Sequence, residues 1–136
     1  MQLPIVDFCG LKITRLILGA NPFGGFSHQS QNRDEEMLAY YNIARIKETW
    51  HRAETAGINT IITNNETAHI FQSVREYLSS GGPLQWIAQI SHSSKPDMFY
   101  AIDEAVDIGC RALYFQGALI DQAYQQQDKK TIQAWC

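Results

Sequence analysis

Long apolar runs are missing from this chain of 136 residues. No stretch approaches the roughly 18 consecutive apolar residues of a membrane helix, and the opening MQLPIVDFCG has neither the basic start nor the apolar centre of a secretory leader. Basic clusters are missing as well. Eleven Lys and Arg stand against 14 Asp and Glu, a net charge of −3, so there is no electrostatic footprint for nucleic acid or an anionic membrane. Cysteine is scarce: Cys9, Cys110 and Cys136 are odd in number, far apart and without a CxxC pair, and read as free thiols rather than a disulfide frame or zinc site. The glycine run Gly19 to Gly25 lacks the Lys-Ser/Thr of a P-loop, and neither G-x-G-x-x-G nor H-E-x-x-H occurs. These absences lead us to expect a cytoplasmic protein that acts on a small molecule, with no nucleic-acid or membrane partner and no metal site. Asn65-Glu66-Thr67 is a formal glycosylation sequon and reads as chance in such a chain.

What is present suits one domain with a sizeable core, since 45% of the residues are hydrophobic and 18% charged. The organising stretch is LKITRLILGANPFGG, from Leu11 to Gly25. Ile13, Leu16, Ile17 and Leu18 form a short apolar run that Gly19, Asn21, Pro22, Gly24 and Gly25 bring to a stop, the pattern of a buried strand emptying into a loop. Before it, residues 1–13 read as an N-terminal hairpin, with Ile5, Val6 and Phe8 in one strand, a turn at Cys9-Gly10 and a return over Leu11 to Ile13. After it, residues 22–41 read as a loop too long to be idle.

The rest alternates. Asn42 caps a helix to Ala56 with Ile43, Ile46, Trp50 and Ala53 on one stripe, and Gly57 ends it. Ile58 to Thr63 is a β-branched strand, and a helix with Ile70, Val74, Tyr77 and Leu78 on its stripe follows from Thr67. Leu84 to Ile90 is the next strand, then a helix striped by Phe99, Ile102 and Val106 that stops at Gly109, then a strand over Ala112 to Phe115. Asp128 caps a last helix carrying Ile132 and Trp135. The segments AETAGINTIIT from Ala53 and AVDIGCRALYF from Ala105 match in pattern, a repeat of two βα units. The expected fold is therefore α/β, a parallel (β/α)8 TIM-barrel type favoured over an open doubly wound sheet. A full barrel takes about 250 residues. Residues 1–136 would then be a single partial domain covering about the first four βα units, either a truncated product or one of two copies associating through exposed sheet edges.

Barrel chemistry gathers at the carboxyl ends of the strands. Those ends offer Asn21, then Asn64, Asn65 and Glu66, then Gln89, Ser91 and His92, then Gln116. Neutral amides orient hydroxyls and carbonyls by hydrogen bonding, so Asn21, His28, Asn64, Gln89 and Gln116 are the candidate ligand-binding residues for a carbonyl or sugar-like molecule. Glu66 and His92 are the candidate catalytic pair, as general acid or base and as donor to a substrate oxygen. Equally, a carboxylate at a helix N-terminus can simply complement the dipole, and His92 can be a surface histidine.

The run G-L-K-I-T-R-L-I-L-G-A-N-P-F-G-G resembles the first strand of the aldo/keto reductases. In pattern the resemblance covers residues 10 to about 117, most specifically 10–25 and 57–71. It implies an oxidoreductase-type barrel and, in a full-length protein, NADP(H), whose phosphate contacts in the family come from later strands, so no cofactor is expected on this chain. The family's D-T-A-x-x-Y is matched by Glu66-Thr67-Ala68-His69-Ile70-Phe71, which puts Glu66 in place of the aspartate and Phe71 in place of the proton-donating tyrosine. Gln89 stands near the lysine's place at the end of its strand, and Tyr114-Phe115-Gln116-Gly117 has no histidine. The alternatives are a metal-assisted sugar isomerase or lyase, using Glu66 with His28, His69 or His92, and a non-enzymatic binding barrel.

A phenylalanine has no proton to give, and a neutral amide cannot lower a tyrosine's pKa as an ammonium does. The purified chain should therefore show no NADPH-dependent reduction of simple aldehydes above the buffer rate, followed by the loss of NADPH absorbance.

Overall fold

The structure is a computed structural model and describes residues 3–135. It opens on the expected hairpin. β1 (Ile5–Phe8) and β2 (Leu11–Thr14) pair antiparallel with Val6 opposite Ile13, and the Asp7 carboxylate accepts from the Gly10 N–H at 2.9 Å across the turn. Asn59 fastens the hairpin beneath the next strand: its Oδ1 accepts from the Thr14 N–H at 2.8 Å and its Nδ2 donates to the Lys12 carbonyl at 2.9 Å. The Gln85 amide donates to the same carbonyl at 2.9 Å. The hairpin thus closes the amino end of the main sheet.

That sheet is where expectation and structure part. β3 (Thr60–Asn64), β4 (Gln85–Ile90) and β5 (Ala112–Phe115) form a three-stranded parallel sheet in the order β3-β4-β5, separate from the two-stranded antiparallel sheet β1-β2. The molecule is a small α/β domain with two sheets, and not a continuous parallel (β/α) barrel of four units. The reason lies in Leu11 to Leu18. The first four of these residues are committed to antiparallel pairing, the Arg15 N–H prolongs it by donating to the Pro4 carbonyl at 2.8 Å, and Leu16 turns outward with 56% exposure. Only Leu18 reaches the parallel sheet, in a single bridge to Ile61 held by bonds of 3.1 and 2.9 Å. Among the described residues, β5 has no strand on its outer edge.

Helices cover one face of the parallel sheet. α2 (Ile43–Thr55) starts as expected at Asn42, whose side chain accepts from the Arg45 N–H, and buries Ile46, Trp50 and Ala53. α3 (Ala68–Ser79) buries Ile70, Phe71, Val74 and Tyr77. These meet Ile61, Trp86, Ala88 and Ile90 from the strands in one apolar cluster. α4 (Met98–Ile108) ends at Gly109, whose φ of 107° only glycine adopts freely, but it buries Met98, Ala101 and Ala105. Of the expected stripe only Ile102 packs against the cluster, while Phe99 and Val106 turn away, 57% and 55% exposed. The small alanines let α4 lie close on β4, and the larger side chains are left on its flank.

Two further helices lie where none was expected. Within the 22–41 segment, a 3₁₀ turn over Asn21–Gly24 leads to α1 (Gln31–Tyr40), capped by Ser30; α1 buries no residue, so no apolar periodicity announces it. α5 (Gly117–Gln125), the second, follows β5 directly; α6 (Lys129–Trp135) then begins, as expected, at the Asp128 cap. No helix among the described residues is long and apolar enough to cross a membrane.

Tyr77 joins three of these elements. Fully buried, its hydroxyl donates to the Glu54 carboxylate on α2 and accepts from the Leu84 N–H at 3.3 Å, its ring lies 5.2 Å from that of Trp50, and a Cβ on Gly82 would fall 2.3 Å from it. Burial, then the bond to Glu54, pushes the phenol pKa well above its usual value. Tyr77→Phe leaves a buried N–H without a partner and should destabilise the fold by about 1–3 kcal/mol in urea unfolding. A raised folded-state pKa means the native state keeps a proton that the unfolded chain sheds above about pH 10, so stability falls as pH rises past that point. Melting curves between pH 9 and 11 should show that fall, and Tyr77→Phe should reduce its slope.

Candidate functional site

Parallel register lines up side chains across strands. Asn64 pairs with Gln89 and Gln89 with Tyr114, so these three stand in one row on the face of the sheet that the helices do not cover. The row beneath is apolar, Ile62, Ile87 and Ala112. From the other side comes the segment after Leu18. Beyond the Leu18–Ile61 bridge the chain turns into its 3₁₀ helix at Asn21, which lines the same cavity as Asn64. Together these groups enclose a cavity of about 510 Å³ lined by residues 17–22, 62–64, 89 and 114.

The polarity of each group is set by its neighbours. The Asn64 Oδ1 accepts from the N–H groups of Glu66 at 3.0 Å and Thr67 at 2.8 Å, which leaves Nδ2 to the cavity as a donor. The Asn21 Nδ2 lies 3.4 Å from His28 Nε2, which leaves its Oδ1 as an acceptor. His28 holds this place with φ of 55°, a left-handed conformation unusual for a side-chain-bearing residue. The Gln89 side chain has no hydrogen-bond partner among the described residues. Tyr114 is 42% exposed, its phenol pKa is raised by partial burial, and its hydroxyl can both donate and accept. The lining contains no carboxylate, ammonium, guanidinium or imidazole.

Of the candidates from sequence, Asn21, Asn64 and Gln89 line this cavity and His28 stands behind Asn21. Glu66, His92 and Gln116 lie outside the lining. Glu66 is engaged by the Ser91 hydroxyl, which donates to its Oε1 at 2.5 Å, and His92 turns its ring to Trp135, 5.6 Å away. Gln116 occupies the cap position of α5, its N–H bonded to the Ile90 carbonyl at 2.9 Å. Phe71 is buried beneath the Lys95 ammonium, 4.7 Å from its ring centre. His69 donates from Nε2 to the Phe23 carbonyl at 2.6 Å, and no three His, Cys, Asp or Glu side chains among the described residues converge on a metal position. Tyr114 was not among the candidates, because a tyrosine inside a short apolar strand reads as core; alternation within ALYF was the one signal that could have placed it opposite Leu113 and Phe115.

The mouth is held in shape by Asn65. Only 1% exposed, its Nδ2 donates to the Ser91 carbonyl and its Oδ1 accepts from the Ser91 N–H, both at 3.0 Å, locking the exits of β3 and β4 together. Comparison with known protein families, with curated proteins and with solved structures gave no match. Asn65→Ala strips partners from two buried backbone groups and should cost about 2–4 kcal/mol in chemical denaturation.

Proposed function

We propose that the chain binds a small, uncharged, oxygen-bearing molecule, carbonyl or sugar-like, in the cavity at the carboxyl end of its parallel sheet. The observation that carries this reading is the lining, in which the side chains of Asn21, Asn64, Gln89 and Tyr114 stand beside the apolar Ile17, Leu18 and Ile62 with no charged group among them. Charged ligands need countercharge when desolvated, and neutral ones need donors and acceptors in place. The likeness to the aldo/keto reductases supports a ligand at the end of Leu16 to Gly19, while Phe71, Gln89 and Gln116 support binding without carbonyl reduction by this chain. NADP(H), which that likeness implies for a longer protein, finds no lysine or arginine in the lining for its phosphates.

Titration with dihydroxyacetone and with dihydroxyacetone phosphate, followed by amide NMR shifts, separates neutral from charged ligands. Shifts at Gly19, Asn21 and Asn64 are expected with the neutral compound. Gln89→Leu should weaken its binding about tenfold, the worth of one or two hydrogen bonds, with the melting temperature nearly unchanged. Stronger binding of the phosphate, or no shift at these residues with any neutral carbonyl or sugar, would overturn the reading.

A further inference from the structure

Building on the neutral-ligand reading, we infer that the cavity takes a cyclic polyhydroxy compound of monosaccharide size, its ring lying against Tyr114 and its hydroxyls against Gln89 and Asn64. Adjacent strands lie about 4.8 Å apart, so the row from Asn64 through Gln89 to Tyr114 spans roughly 10 Å. That is wide enough for a six-membered ring with its substituents. Such a ring has two kinds of surface. Its C–H face is apolar and complements the face of an aromatic side chain, and its rim is a series of hydroxyls that each donate one hydrogen and accept others.

The row supplies those partners in order. Tyr114 stands on β5, which has no strand on its outer edge among the described residues, and 42% of Tyr114 is open. Next to it, the Gln89 amide, without a hydrogen-bond partner among the described residues, lines the cavity and carries a donor and an acceptor in one fork, the arrangement that two neighbouring hydroxyls meet together. Beyond it, Asn64 offers donors alone, since its carbonyl oxygen is held by the backbone of Glu66 and Thr67. An open-chain carbonyl compound would satisfy Asn64 and leave the aromatic face unmatched.

The test uses closed rings that carry no carbonyl. The methyl α-pyranosides of glucose, galactose and mannose, together with myo-inositol, are titrated into the full chain beside open-chain sorbitol and dihydroxyacetone, with NMR shifts at Gln89 and Tyr114 as the readout. At least one ring compound should bind about tenfold more tightly than sorbitol. Tyr114→Phe keeps the ring and should weaken that binding no more than about threefold, whereas Tyr114→Leu stays apolar, loses the aromatic face and should weaken it about tenfold or more. Binding of dihydroxyacetone but of no ring compound, or equal binding by Tyr114→Leu, overturns this inference and leaves the neutral-ligand reading standing. Failure of every compound overturns both.

Discussion

Pairing between Thr60–Asn64 and Gln85–Ile90 decides which side chains meet the helices and which meet the cavity. With side chains alternating along each strand, the register that sends Ile61, Trp86, Ala88 and Ile90 into the apolar cluster also sends Asn64 and Gln89 to the open face. A slip by one residue would exchange the two sets and place amides under the helices without partners, so core and site are specified by one decision. The cost of losing register is therefore the cost of unburying Trp86, Ile61 and Ile90, far more than the site alone could impose.

The ends of the sheet divide the labour. At the amino end, Asn59 and Gln85 fasten the hairpin so that the backbone there is bonded and closed. At the carboxyl end, Asn65 locks β3 to β4 through Ser91, and Asn64 folds the chain into α3 by taking two backbone N–H groups. Two adjacent asparagines thus act oppositely: the buried one holds the strand exits, and the half-buried one spares its nitrogen for the cavity.

Those parts of the fold that depend on local chemistry were legible in the sequence. The hairpin turn at Cys9-Gly10, the Asn42 cap, the Gly109 stop and the strands over 60–64, 85–90 and 112–115 all follow from turn residues, caps and β-branched runs. What depends on competition between distant partners was not. Leu11–Thr14 pairs with β1 before the chain can join the parallel sheet, which no periodicity reveals, and this breaks the expected four-unit array. Helix α4 shows a similar competition. Its sequence offers a stripe of large apolar residues and a stripe of small ones, and close approach to β4 selected the small. In the site, amides at strand ends were found because position alone put them there. Glu66 was drawn off by a hydroxyl at the exit of the next strand, and only three-dimensional proximity to Ser91 shows it.

The locked amide of Asn64 also gives the cavity a direction. Acceptor at Asn21, donor at Asn64, both at Gln89 and an aromatic face at Tyr114 form an order that does not read the same backwards. A molecule laid along such a row could settle in one orientation only, since turned end for end it would set its groups against the wrong partners, a donor against the Asn64 amide where an acceptor belongs.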